Sequence, residues 1–230
     1  MTEPSNRAIR TRLRSVGVGF AAGALLVLVA GLLIRYQTRG VATSEDASSG
    51  SSYQGSRLDA KPAADFRLTD QRGMSVSLAH LRGKVVVLTL LDPDCTDICP
   101  LYAYQFRLAH QALGADAVKV AFVAFNANNK KTTVDDVMAA TKKWAMEQVS
   151  EWYFLTGTPA ALKAVWAAYG MHASGDPKPG KPDELQHSPT VFVIDQAGQR
   201  RWYLSTSFEG APPLNTLLVN HVRALLEEEH

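Results

Sequence analysis

The sequence predicts an α/β domain with a mixed central sheet and helices on both faces, preceded by one N-terminal transmembrane helix. Three observations predict it. Apolar runs rich in β-branched residues, at 85–91 and 118–125, alternate with longer stretches of helical periodicity, and that alternation builds a sheet flanked by helices. A hairpin and a helix close the chain instead of a further strand–helix repeat, so the sheet is mixed and not wholly parallel. Residues 16–34 form an unbroken uncharged run, close to the roughly 20 residues that a spanning helix needs.

Four arginines (Arg7, Arg10, Arg12, Arg14) precede that run, and Arg35 and Arg39 follow it. The positive-inside bias then places residues 1–15 in the cytoplasm, residues 16–34 in the membrane and the rest on the outer, extracytoplasmic face. The run is long for the apolar core of a cleaved signal peptide and ends in no small-x-small site, which favours an anchor. Residues 35–60, with Ser44, Glu45, Asp46, Ser48, Ser49, Gly50, Ser51 and Ser52, read as a flexible linker. The globular domain is expected over residues 61–230.

Within it, residues 64–68 and 74–76 read as a short hairpin around Asp70-Gln71-Arg72-Gly73, and residues 78–81 as one helical turn closed by Gly83. The run at 85–91 stops at Asp92-Pro93, as a buried strand does on leaving a sheet. An amphipathic helix follows to about residue 113, ended by Gly114. Residues 118–125 are a second buried strand. Thr132 or Thr133 can cap a helix reaching about residue 148, with Asp135 and Asp136 in the first turn, where the helix dipole favours acids. Residues 152–155 are a short strand, and Thr158-Pro159 is a cap and first-turn proline for a helix over 160–169. Residues 173–186, with Gly175, Pro177, Pro179, Gly180 and Pro182, read as a loop. A hairpin over 191–195 and 201–205 and a helix from 214 to about 228 end the chain. This is the element order of a thioredoxin-like fold.

The two cysteines of the chain lie in Asp92-Pro93-Asp94-Cys95-Thr96-Asp97-Ile98-Cys99-Pro100, where the first long helix begins. If this segment is helical, the fourth-neighbour spacing points both sulfurs from one face. Two cysteines are too few for a disulfide scaffold, so the pair is either a local staple or a site for soft-metal or disulfide chemistry. Thiolates select Cu(I), and imidazole suits copper in either oxidation state. Asp97 can offer an oxygen or a supporting contact, while Asp92, Asp94 and Asp97 oppose thiolate formation that the helix N-terminus favours. The net charge of +2 gives no electrostatic case for nucleic acid. Of the histidines, His80, His110, His221 and His230 read as surface positions, and His172 beside Met171 as the end of an amphipathic helix.

Several segments together resemble the SCO/SenC family: Leu81-Arg82-Gly83-Lys84 before the strand, the Cys95–Cys99–Pro100 loop, Trp152-Tyr153-Phe154-Leu155-Thr156-Gly157, and Leu185-Gln186-His187-Ser188-Pro189-Thr190 ahead of Val191-Phe192-Val193-Ile194-Asp195. The chain differs from the family in having Thr96 after Cys95 and Asn126-Ala127-Asn128-Asn129-Lys130-Lys131 in place of an Asp-Pro-rich turn. The resemblance implies a membrane-tethered copper metallochaperone, with Cys95, Cys99 and His187 binding one copper ion. It also implies cytochrome c oxidase subunit II as the partner. The alternative is a membrane-anchored thiol–disulfide oxidoreductase using Cys95 and Cys99 as its redox-active pair; enzymes of that type usually space the cysteines one residue closer. A thiol peroxidase ranks last, because Pro93 is one place off the pattern that class requires. Ser188–Pro189 is expected to be a cis peptide that holds His187 near the sulfurs.

Overall fold

The computed structural model describes residues 55–178, 181–187, 190–204 and 212–228, without side chains for 174–178 and 181–187. The expected anchor at 16–34, most of the linker, and the Ser188–Pro189 peptide lie outside the described residues. Among the described residues, no helix is long and apolar enough to cross a membrane.

The centre is a six-stranded sheet ordered β1-β10-β9-β4-β5-β6, from β1 (Ser56–Pro62), β4 (Val85–Leu91), β5 (Val120–Asn126), β6 (Trp152–Leu155), β9 (Val191–Ile194) and β10 (Gln199–Leu204). β4, β5 and β6 run parallel, while β9 is antiparallel to β4 and β10, and β10 antiparallel to β1. The sheet is mixed, as the sequence predicts, and the architecture is thioredoxin-like. β4 and β5 are buried along their whole length, which is why their sequences are continuous apolar runs and do not alternate. Alternate residues serve opposite faces. Val85, Val87 and Leu91 join one core with Phe106, Phe122 and Trp152, whereas Val86, Leu88 and Leu90 join the other with Phe66, Phe125 and Tyr169. Helices α1 (Ile98–Leu113), α2 (Val134–Lys143) and α4 (Leu214–Glu227) supply the first core, and α3 (Pro159–Tyr169) the second.

Local chemistry sets the helix ends. Thr133 is the cap of α2, in a reciprocal capping box with Asp136. That helix stops at Lys143, short of the expected residue 148, because Ala145 takes a left-handed conformation (φ 56°) and a 3-10 turn at Met146–Gln148 replaces the last turn. Gly170 closes α3 at φ 63°, a conformation glycine adopts without a Cβ penalty.

Three expectations are corrected. β1 starts at Ser56, inside the stretch read as linker, and pairs with the far end of the chain at Ser56↔Tyr203 and Pro62↔Gln199. The segment read as a loop after residue 173 is a two-stranded hairpin, β7 (Ala173–Lys178) and β8 (Lys181–His187), beside the small hairpin β2 (Arg67–Thr69) and β3 (Ser75–Ser77). Pro177 is tolerated there because a two-stranded sheet consists only of edges. His221 is not a surface residue: it is wholly buried in α4, its ring 4.2 Å from that of Trp202.

Candidate functional site

β4 ends in a turn that its sequence builds. Asp92 and Pro93 are favoured first and second residues of a β-turn, and the Cys95 N–H closes it on the Asp92 carbonyl at 3.0 Å. Asp92 Oδ1 accepts the Asp94 N–H at 2.9 Å, an Asx interaction that fixes the turn. Asp97 then caps α1, accepting the Ile98 N–H through Oδ1 at 2.6 Å.

Only Cys99 is helical; Cys95 precedes the cap, which corrects the expectation of two sulfurs on one helix face. The sulfurs converge for another reason. Cys95 lies over the helix start and its Sγ accepts the Cys99 N–H at 3.3 Å, one of the donors that a helix N-terminus leaves without an intrahelical partner. The Cys95 thiol donates to Asp97 Oδ1 at 3.0 Å, and the Asp92 N–H donates to Cys99 Sγ at 3.5 Å. No disulfide joins the cysteines, and both are buried, 1% and 0% exposed, in the core between α1 and the sheet.

Burial pushes the Cys99 thiol well above its ordinary range. The hydrogen bond and charge of Cys95 act in the same direction, as does the charge of Asp92, against a lowering by the Asp92 amide. Burial also raises the Asp94 carboxyl, opposed by the charge of Lys131. The Cys99 thiol is therefore held in its protonated form.

A buried polar chain, which the sequence reading did not assemble, supports the loop. Asn128 donates through Nδ2 to Asp92 Oδ1 at 3.0 Å, and its own Oδ1 accepts the N–H groups of Lys130 and Lys131. Asn126 Oδ1 accepts the Asn128 N–H, and Asn126 Nδ2 donates to Thr156 Oγ1 at 3.2 Å. These residues end β4, β5 and β6 in turn, so the chain ties together the carboxyl ends of three parallel strands. The signal was present as Asp-Pro-Asp after one apolar run and Asn-x-Asn after the next.

His187 ends β8, opposite Ala173 in register. The chain then enters β9 at Val191, the partner of Thr89 in β4, and the Thr89 hydroxyl donates to the Thr190 carbonyl at 2.8 Å. The topology thus brings His187 to the end of the sheet where β4 delivers the cysteines. Its side chain lies outside the described ones, and among the described residues no three His, Cys, Asp or Glu side chains cluster as a metal-binding group. Met171 is buried and His172 exposed; both lie past the Gly170 cap of α3, not on the helix itself.

Comparison with known proteins follows the same lines. The chain is 26% identical over 196 residues to Protein SCO2, mitochondrial, of Saccharomyces cerevisiae, covering 83% of this chain and 62% of that protein, so it spans less than two thirds of that relative's length. Arabidopsis thaliana ScoI, solved with copper bound, superposes with a TM-score of 0.61 at 19% identity, over 73% of this chain and 99% of that one. BsSco, described as having a disulfide switch and as a member of the Sco family of cytochrome c oxidase assembly proteins, superposes with a TM-score of 0.58 at 19% identity, over 75% of this chain and 96% of that one. At these identities the structures share the fold. The SCO1/SenC family model matches residues 54–216, from the first strand of the sheet through the dithiol loop and past the final hairpin, and the chain belongs to the SCO1/SenC family.

Proposed function

We propose that this protein is a membrane-tethered copper metallochaperone that assists assembly of the copper site of cytochrome c oxidase, with subunit II as the recipient. Cys95, Cys99 and His187 hold one copper ion as cargo. The observation that carries the reading is the convergence of the two sulfurs at the start of α1, where the Cys99 N–H meets Cys95 Sγ at 3.3 Å. Two soft donors side by side in a dry site suit Cu(I), and one imidazole completes a three-coordinate set. His187 is the candidate because the topology delivers it to the same end of the sheet. Metal entry displaces the thiol protons, so binding is coupled to their release. The copper-bound state of ScoI supports the same cargo. Residues 16–34 anchor the chain and keep the domain on the outer face.

The same convergence favours a second reading, a thiol–disulfide oxidoreductase, and BsSco with its disulfide switch is a relative in which such a change is described. Cys99 argues against efficient attack, since burial, and after it Cys95, hold it protonated and the thiolate is the nucleophile.

The test is titration of the reduced full-length protein with Cu(I) against a competing chelator, anaerobically. One equivalent is expected to bind; replacing both cysteines (Cys95→Ser, Cys99→Ser) should abolish binding, and His187→Ala should weaken it less, because the soft pair remains. Unchanged affinity in the double variant would end the copper reading. Rapid metal-free reduction of a disulfide substrate together with weak copper binding would install the oxidoreductase instead.

A further inference from the structure

We propose that Asp92 is a tuning residue of the dithiol site, whose buried carboxylate supplies a fixed negative charge that favours doubly over singly charged copper. The inference rests on the copper-carrier reading and adds to it the charge state that the site prefers. Asp92 is 0% exposed at the end of β4. Its Oδ1 accepts from Asp94 N and Asn128 Nδ2, at 2.9 and 3.0 Å. Its Oδ2, fully shielded, accepts no hydrogen bond from any described residue. Buried polar oxygens without a donor are uncommon in folded proteins and call for an explanation.

The turn does not provide one. It uses Oδ1 alone, and asparagine or serine serves equally well as the first residue of such a turn. What aspartate adds is an unbonded oxygen and a charge, on a residue whose backbone N–H meets the Cys99 sulfur. The Asp92 N–H is 3.5 Å from Cys99 Sγ, so standard bond lengths place its carboxyl carbon within roughly 7 Å of that sulfur. Two thiolates and this carboxylate make a strongly anionic pocket of which Cu(II) cancels more than Cu(I). Asp94, Lys131, Asp136 and Lys143 are further charges on this side of the loop, and Asp97 lies on the Cys95 side. At an effective dielectric near 20 and such a separation, one additional unit of charge changes affinity on the order of tenfold or more.

The experiment compares Cu(I) and Cu(II) affinities of the full-length protein with those of Asp92→Asn and Asp92→Glu. Each affinity comes from anaerobic competition with a chelator for that oxidation state, and the paramagnetic resonance spectrum of the Cu(II) form is recorded alongside. Asp92→Asn is expected to lose roughly tenfold in Cu(I) affinity and roughly a hundredfold in Cu(II) affinity, a change of about tenfold in their ratio and so a rise in copper reduction potential of about 59 mV for a one-electron couple. Asp92→Glu, which keeps the charge, should restore the preference. Asp92→Ser serves as the neutral variant if the amide does not fold. A Cu(II)-to-Cu(I) affinity ratio unchanged in the neutral variant, or lost equally in Asp92→Glu, overturns the role of Asp92 and leaves the copper reading intact. A wild-type protein that binds neither form removes both.

Discussion

Cys99 carries its sulfur in the first turn of α1 with no surface exposed to solvent, and that burial governs its chemistry. A thiolate there would lose its hydration and sit near Asp92, so the protonated form persists above the usual range. Removing Cys95 should not undo this, since burial is the largest cause. In Cys95→Ser, titration followed by ultraviolet thiolate absorbance is expected to place the Cys99 midpoint above the ordinary value of 9.0. Linkage then has a definite sign. A folded-state pKa raised above the unfolded one contributes stability that is fully present below pH 9.0 and lost as pH rises through the folded value, so the melting temperature of the reduced protein should fall above pH 9.0. A midpoint at or below 9.0 would show that the thiol is solvated and is not held protonated as described.

At the scale of elements, the hairpin of β2 and β3 guards an edge of the main sheet. β6 is the last strand on its side, and an unprotected edge offers its backbone groups to other chains. Gln71, in the hairpin turn, covers this edge. Its Nε2 donates to the Trp152 carbonyl at 2.9 Å and its Oε1 accepts the Phe154 N–H at 2.8 Å. Asp70 braces the turn beneath it, accepting the Arg72 and Met74 N–H groups and pairing with the Arg72 guanidinium at 2.7 Å. Gln71→Ala leaves two buried backbone groups without these partners and should destabilise the domain by about 2 kcal/mol in chemical denaturation, at an unchanged denaturant slope. A loss of only a few tenths would mean that water replaces the amide at no cost. The sequence marked this segment as a turn from Asp70 to Gly73 but could not name its contact, because Gln71 and Phe154 are joined only when the sheet forms.

The whole molecule places its chemistry where three parallel strands end. β4 delivers the cysteines, β5 and β6 deliver Asn126, Asn128 and Thr156, and the antiparallel entry to β9 returns His187 to the same end. Two apolar cores, one on each face of the sheet, hold that arrangement while the loops carry the reactive groups. The proposed anchor adds an orientation. In intact spheroplasts, protease added outside is expected to cleave the dithiol domain while the full-length protein sediments with membranes. A domain protected from the outer face, or a protein recovered wholly in the soluble fraction, would overturn the proposed topology.

The sequence by itself determined the elements whose signals are local. The continuous apolar runs of β4 and β5 name buried strands, Thr133 with Asp136 and Thr158 with Pro159 name helix starts, and Asp92-Pro93 before two closely spaced cysteines names the turn at a strand–helix junction. Tertiary structure decided everything that depends on partners distant in the chain. Polar residues 56–62 carry no strong strand pattern and become a strand because β10 offers them an edge. A proline-rich segment becomes a hairpin by pairing with itself. His221 is polar in sequence but buried in space, because α4 turns that face toward Trp202. Asp92 and Asn128, 36 positions apart, meet only because β4 and β5 lie side by side. Periodicity and capping depend on neighbours within a few residues and are written in the chain; the surroundings of the thiols depend on which strands pair, and exist only once the sheet is assembled.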